Sequence, residues 1–248
     1  MTKKTFLFLS VALLLQFTLA AADPAALIAE GDSLYDLRED QAQAKLAMAK
    51  YREALQLDEK NYDALWRAAR AIYWVGIHLA KKDDKVKIFR EGIDICKRAI
   101  ALKANGVEGH FWLGVCYGEY GLARGKLKSL FLKGDIIDEM NVVIRLDDKY
   151  EDGGAYRVLG KLYYEVPGIF GGSNKKSRNN LEKSLQIAPK NTLSLLYLAE
   201  TLWDMDEEKL AIKTLEKLLA TEPDAWLIPE TKEDKVAAHK LLKKYKED

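Results

Sequence analysis

The feature that most constrains this chain is a spacing that recurs. A large residue is followed, three and four places later, by a pair that contains a small residue, and three beyond that by an aromatic or large apolar residue. It is read as Trp66-x-x-Ala69-Arg70-x-x-Tyr73, His110-x-x-Leu113-Gly114-x-x-Tyr117, Tyr156-x-x-Leu159-Gly160-x-x-Tyr163 and Leu195-x-x-Leu198-Ala199-x-x-Leu202. Such a spacing belongs to the first helix of a helical hairpin. The small residue sits where two helices approach closely, and the residue one turn later fills the adjoining hole. Second helices answer with Tyr51 and Ala54, Cys96 and Ala99, Met140 and Val143, Leu181 and Ser184, and Leu215 and Leu218. Pro189 and Pro223 fall where the last two must stop, since proline and its predecessor disfavour continuation. Asn61, Asn105 and Asn191 lie near the starts of following helices, where a short polar side chain can satisfy free backbone amides.

The expected fold class is therefore all-α. A right-handed solenoid of about five hairpins spans residues 23–228, and a capping helix covers 229–248. The hairpin from about Pro24 to Leu57 follows the template least well, as a terminal repeat does. From Ala69 to Leu113, Leu159 and Leu198 the template recurs at intervals of 44, 46 and 39 residues, longer than the roughly 34 of a standard hairpin repeat. Three insertions follow. Those around His78–Val86 and Leu122–Phe131 are simplest as helix extensions. Val166–Ser173 (VPGIFGGS) is a loop, because its glycines and proline are costly in a helix interior. In the last stretch Thr231 and Asp234 mark a helix start, and Val236, Leu241, Leu242 and Tyr245 share a stripe.

The first 22 residues carry Lys3 and Lys4, an apolar run from Phe6 to Leu19, and small residues at Ala20 and Ala22. That is the pattern of a secretory signal peptide cleaved after Ala22, with an uncleaved anchor as the alternative. No cysteine lies near the cleavage site to carry a lipid. Without the leader, 37 basic residues face 38 acidic ones. This near-neutral balance argues against a nucleic-acid partner. Cys96 and Cys116 either pair in an oxidising compartment or serve as small buried hydrophobes.

The template resembles the tetratricopeptide (TPR) superfamily over most of the chain after the leader. More narrowly, LYYEVPGIFGGSNKKSRNNLEKSLQIAPKN resembles the periplasmic T-component associated with bacterial TRAP transporters. A looser likeness runs to the TPR-like regulators of microtubule dynamics of animals. The T-component resemblance implies an oligomeric periplasmic accessory of organic-acid uptake, engaging a solute-binding protein and, as a further expectation, a small carboxylate. Membership in that family usually comes with the lipid anchor that this chain lacks.

In a TPR stack the residues beside the motif positions of the first helices line the inner groove. Here these are Arg67, Trp74, Phe111, Glu119, Arg157, Lys161, Tyr164, Glu200 and Trp203. Cations among aromatics suit carboxylates, although each such residue alone is more ordinary as core or solvated surface. Ile169 and Phe170, between glycines, either plug a gap in the solenoid, the preferred reading, or meet a partner. The three histidines belong to no catalytic or metal-binding spacing, and GIFGGS lacks the ending of a phosphate loop. No cofactor and no catalysis are expected. Two functions stand: an accessory to carboxylate uptake, or a general scaffold for protein partners in the cell envelope.

Overall fold

The computed structural model describes residues 23–125 and 130–247, so the predicted leader lies outside the described residues. Among these residues there is no strand. Eleven α-helices form five hairpins and a final helix: α1 (Pro24–Tyr35) with α2 (Gln41–Leu57), α3 (Tyr62–Ile77) with α4 (Lys82–Leu102), α5 (Val107–Arg124) with α6 (Lys133–Asp147), α7 (Tyr150–Glu165) with α8 (Asn174–Ile187), α9 (Thr192–Trp203) with α10 (Glu208–Ala220), and α11 (Ile228–Glu247). None is long and apolar enough to cross a membrane.

The hairpins pack as their template requires. Every second-helix position named above is completely buried where it is hydrophobic, and Ser184 is buried with them. The small first-helix residues are there for space. A Cβ on Gly114 would lie 2.4 Å from Met140 Cε, and one on Gly160 would lie 2.6 Å from Leu181 Cγ. The atypical first hairpin uses the same device, because Gly31 faces the ring of Tyr51. Asn61 and Asn191 cap α3 and α9, accepting from Ala64 N and Ser194 N at 3.0 Å.

Three expectations need correction. Gly106, not Asn105, occupies the cap of α5, and no side-chain bond is made there. The first insertion is a helix extension as expected, lengthening α4 to 21 residues while α3 stops at Ile77. The second is not a simple extension: Gly125, with φ +102, ends α5, and a 3-10 turn over Leu130–Leu132 leads into α6. Finally, α11 begins at Ile228, which leaves Thr231 and Asp234 buried inside it, and Val236 points to solvent. Leu241, Leu242 and Tyr245 pack on the core as expected, and Thr231, Asp234 and Ala238 complete the buried stripe in place of Val236. The GIFGGS segment is a loop as expected, with one 3-10 turn over Gly168–Phe170.

Two hydrophobic cores result. One runs from Tyr35 to Leu159 and the other from Leu181 to Tyr245. Cys96 and Cys116 lie side by side in the first as free buried thiols, and burial pushes the Cys96 thiol up. The stack curls until its ends touch. Arg38, in the α1–α2 turn, donates to both carboxylate oxygens of Glu230 on α11 at 2.9 and 2.7 Å, and also to the Trp226 carbonyl. Lys232 donates to Glu39 at 2.7 Å, and His78 Nε2 lies 2.7 Å from Glu233.

Candidate functional site: a cavity inside the closed stack

Closure turns the inner face of the first helices into a cavity of roughly 220 Å³. Its wall is mainly apolar, with Tyr73, Phe111, Trp112 and Tyr197 prominent, and α11 with the turn before it contributes Trp226, Leu227, Glu230 and Asp234. The polar groups around it carry mixed charge: Arg38, Arg70, Arg157 and Lys161 against Glu119, Glu151, Glu165, Glu230 and Asp234.

The cations are already engaged. Arg38 is held by Glu230. Lys161 lies 3.1 Å from Glu165 and 3.0 Å from Glu200, with its ammonium 4.4 Å from the centre of the Tyr197 ring. Arg157 donates through both terminal nitrogens to the Glu151 carbonyl at 3.2 Å. Arg70 stacks over Tyr35 and reaches Asp32, but its Nε is buried without an acceptor among the described residues, as is Trp112 Nε1.

The acids are perturbed in a common direction. Burial raises the carboxyls of Glu119 and Glu151 above the usual carboxylate range, with Lys85 and Lys161 opposing the shift at Glu119 and Arg157 and Arg70 at Glu151. Burial likewise pushes Asp234 up to about 7, although Thr192 donates to it at 2.6 Å. Shifts of this kind cluster where a protein binds or reacts. Backbone strain sits at the same place. Glu151, Asp152 and Gly153 are all left-handed, with φ of 50, 59 and 69, a conformation that costs a non-glycine residue about 1–2 kcal/mol. The Arg157 bonds to the Glu151 carbonyl help to hold this turn, which carries the Glu151 side chain to the cavity wall.

Of the residues expected to line the groove, Phe111, Glu119, Arg157 and Lys161 do so. The other five do not. Arg67 is tied to Asp32 and Asp63 and lies over the Trp66 ring. Trp74 is core, its Nε1 donating to the Arg38 carbonyl at 2.8 Å. Tyr164 lies with its ring centre 5.1 Å from the Lys161 ammonium, and Glu200 acts through Lys161. Trp203 stacks on Tyr245 at 3.7 Å and fastens α9 to α11. Ile169 and Phe170 plug nothing, since both are exposed. His110 is a packed residue, with Nδ1 at 2.6 Å from Glu139 and Nε2 at 2.9 Å from the Ala104 carbonyl.

The residues that were missed come from the closing contacts and from one departure in the template. Arg70 stands where the other first helices carry Gly114, Gly160 and Ala199, and that substitution was the readable signal. No group of three or more His, Cys, Asp or Glu among the described residues could hold a metal ion.

Comparisons with known proteins agree with this architecture. The chain is similar to a crystal structure of TTC0263, a thermophilic TPR protein of Thermus thermophilus, with TM-score 0.65 and 16% identity over 87% of this chain and 98% of that one. PilW, a type IV pilus biogenesis factor, aligns with TM-score 0.56 and 15% identity over 90% of each chain. PilF of Pseudomonas aeruginosa gives 0.54 and 15%, over 89% of this chain and 90% of its own. These likenesses establish a TPR-like fold. No curated protein matches. The family model for regulator of microtubule dynamics protein 1-3, the looser of the two narrow likenesses, matches residues 27–170. That stretch is more than half of the 248 residues, and the chain belongs to this family.

Proposed function

We propose that this protein is an exported, TPR-type scaffold that holds a partner protein by admitting one or two of its side chains into the cavity on the inner face of the stack. The observation that carries the reading is the cavity itself. It is walled by aromatics, bordered by strained and charge-perturbed residues, and left unfilled by the protein's own side chains. At roughly 220 Å³ it falls below the ~300–1,000 Å³ of typical small-molecule sites, so it suits an anchor side chain better than a whole ligand or helix. Export rests on the basic and apolar leader.

The finer reading, an accessory of TRAP-type carboxylate uptake, draws on the VPGIFGGS segment and on Arg157 and Lys161. The charge balance weakens it. Both cations have oxygen partners, and five carboxylates border the cavity against four cations. An added carboxylate would meet repulsion and offer little new pairing.

A photo-crosslinking residue at Val158, in the cavity wall, tests the proposal against one at Lys213, exposed on α10. A discrete protein adduct from position 158 only is expected in cells. Equal labelling from both positions, or none from 158, would remove the proposal. A thermal-shift series with mono- and dicarboxylates, repeated on the Arg157→Ala and Lys161→Ala double variant, separates the readings. A shift that disappears in the double variant would restore the uptake role.

A further inference from the structure

Two of the three insertions meet in space. The 3-10 turn at Leu130–Leu132 and the loop turn at Gly168–Phe170 are joined by Lys133, whose Nζ donates to the Phe170 carbonyl at 2.7 Å. Each turn presents large apolar side chains to water. Phe131 is 85% exposed and Ile169 88%, and Phe170 is exposed beside them. Singly exposed apolar residues need no explanation, but several on adjoining turns do.

The surrounding charge selects the occupant. Arg124 ends α5, Lys133 bridges the turns, and Lys175 and Lys176 begin α8 directly after the loop. Arg124, Lys175 and Lys176 are at least partly open to solvent, and the Lys176 ammonium lies 5.2 Å from the centre of the Tyr163 ring, beneath the loop. The nearby acids are partly engaged: Glu165 is paired with Lys161 on the cavity side and Glu207 with Arg178, while Asp135 lies within the first turn of α6 and Asp204 follows α9 beside Asn174. Protruding apolar tips ringed by cations are what an anionic bilayer accepts. Lipid can close around isolated side chains with no complementary pocket, and cations gain from the negative surface potential. A rigid protein partner would need matching pockets for tips that project almost entirely into solvent.

We propose that the edge formed by Phe131, Ile169 and Phe170 docks the protein on an anionic lipid surface. The test uses the chain from Asp23 onward, which carries every described helix, so that the leader cannot bind lipid itself. It is sedimented with phosphatidylcholine vesicles with and without phosphatidylglycerol. Binding to the anionic vesicles, at least about tenfold weaker for neutral ones, is expected. Phe131→Glu with Ile169→Glu should abolish it while leaving the melting temperature unchanged, since both side chains are solvent-exposed. Lys175→Glu with Lys176→Glu should weaken it and lower its salt sensitivity. No sedimentation with anionic vesicles overturns the proposal, as does unchanged sedimentation of the Phe131 and Ile169 variant. A chain that ignores vesicles but forms a dimer abolished by that variant would give the edge to a second copy and overturn it equally.

Discussion

The two hydrophobic cores are built differently. The N-terminal core packs Trp74, Phe89, Phe111 and Trp112 among alanines, and its hairpins carry the first two insertions. The C-terminal core is mostly leucine, with hydroxyl pairs buried beside it: Ser177 with Thr201 at 2.8 Å and Ser184 with Ser194 at 2.9 Å. Large flat rings at the inner wall leave space between them, and the cavity lies against that wall. Leucine and short hydroxyl side chains fill space closely, and that half supports the closing helix. One half of the molecule supplies a hollow and the other supplies its lid.

The sharpest way to break this contrast is to empty each core in turn. Phe89→Ala should cost about 4 kcal/mol and Leu215→Ala about 3 kcal/mol, since both side chains are fully buried. Through the Arg38 contacts both losses should appear in a single calorimetric transition. Two separate transitions in the unmodified protein would show that the cores melt independently.

An effect of similar size, on the order of 4 kcal/mol, concerns the lid. The Asp234 carboxyl titrates at about 7 when folded and near its ordinary low value when unfolded. Between roughly pH 4 and 7 the unfolded chain has therefore released a proton that the folded chain keeps. This group's contribution to stability is present at low pH, falls through that window as pH rises, and levels off above it. Asp234→Asn should flatten that part of a urea-denaturation series taken from about pH 4 to 8. A parallel decline in the variant would assign the effect to other groups.

The smallest expected loss is in the clasp. Arg38→Gln removes a bidentate pair that is nearly closed to water on the arginine side. It should cost about 2 kcal/mol and separate the two transitions, with the C-terminal half the less stable. Retention of one sharp transition would mean that the α7–α8 packing alone couples the halves.

The hairpins were legible because their packing is local. Gly114 meets Met140 and Gly160 meets Leu181 within one repeat, and a period of about 3.6 residues exposes such positions to a reader of sequence. The cavity was legible only in part. Phe111, Glu119, Arg157 and Lys161 follow from the register of the first helices, but Arg38, Glu230 and Asp234 reach the same space through rotation accumulated over the hairpins. No local pattern records that angle. Trp74 and Trp203 were misplaced for a related reason. Each ring turns toward a neighbouring element once the stack has curled.

Open helical arrays gain or lose units freely, because each unit answers only to its neighbours. The bond between Arg38 and Glu230 spans 192 residues and imposes a different rule. One hairpin more would carry α11 past the α1–α2 turn, and one fewer would leave it short. The number of repeats in this chain is therefore a fixed dimension, set by the angle through which five hairpins turn, much as the number of staves is set once a barrel has been hooped.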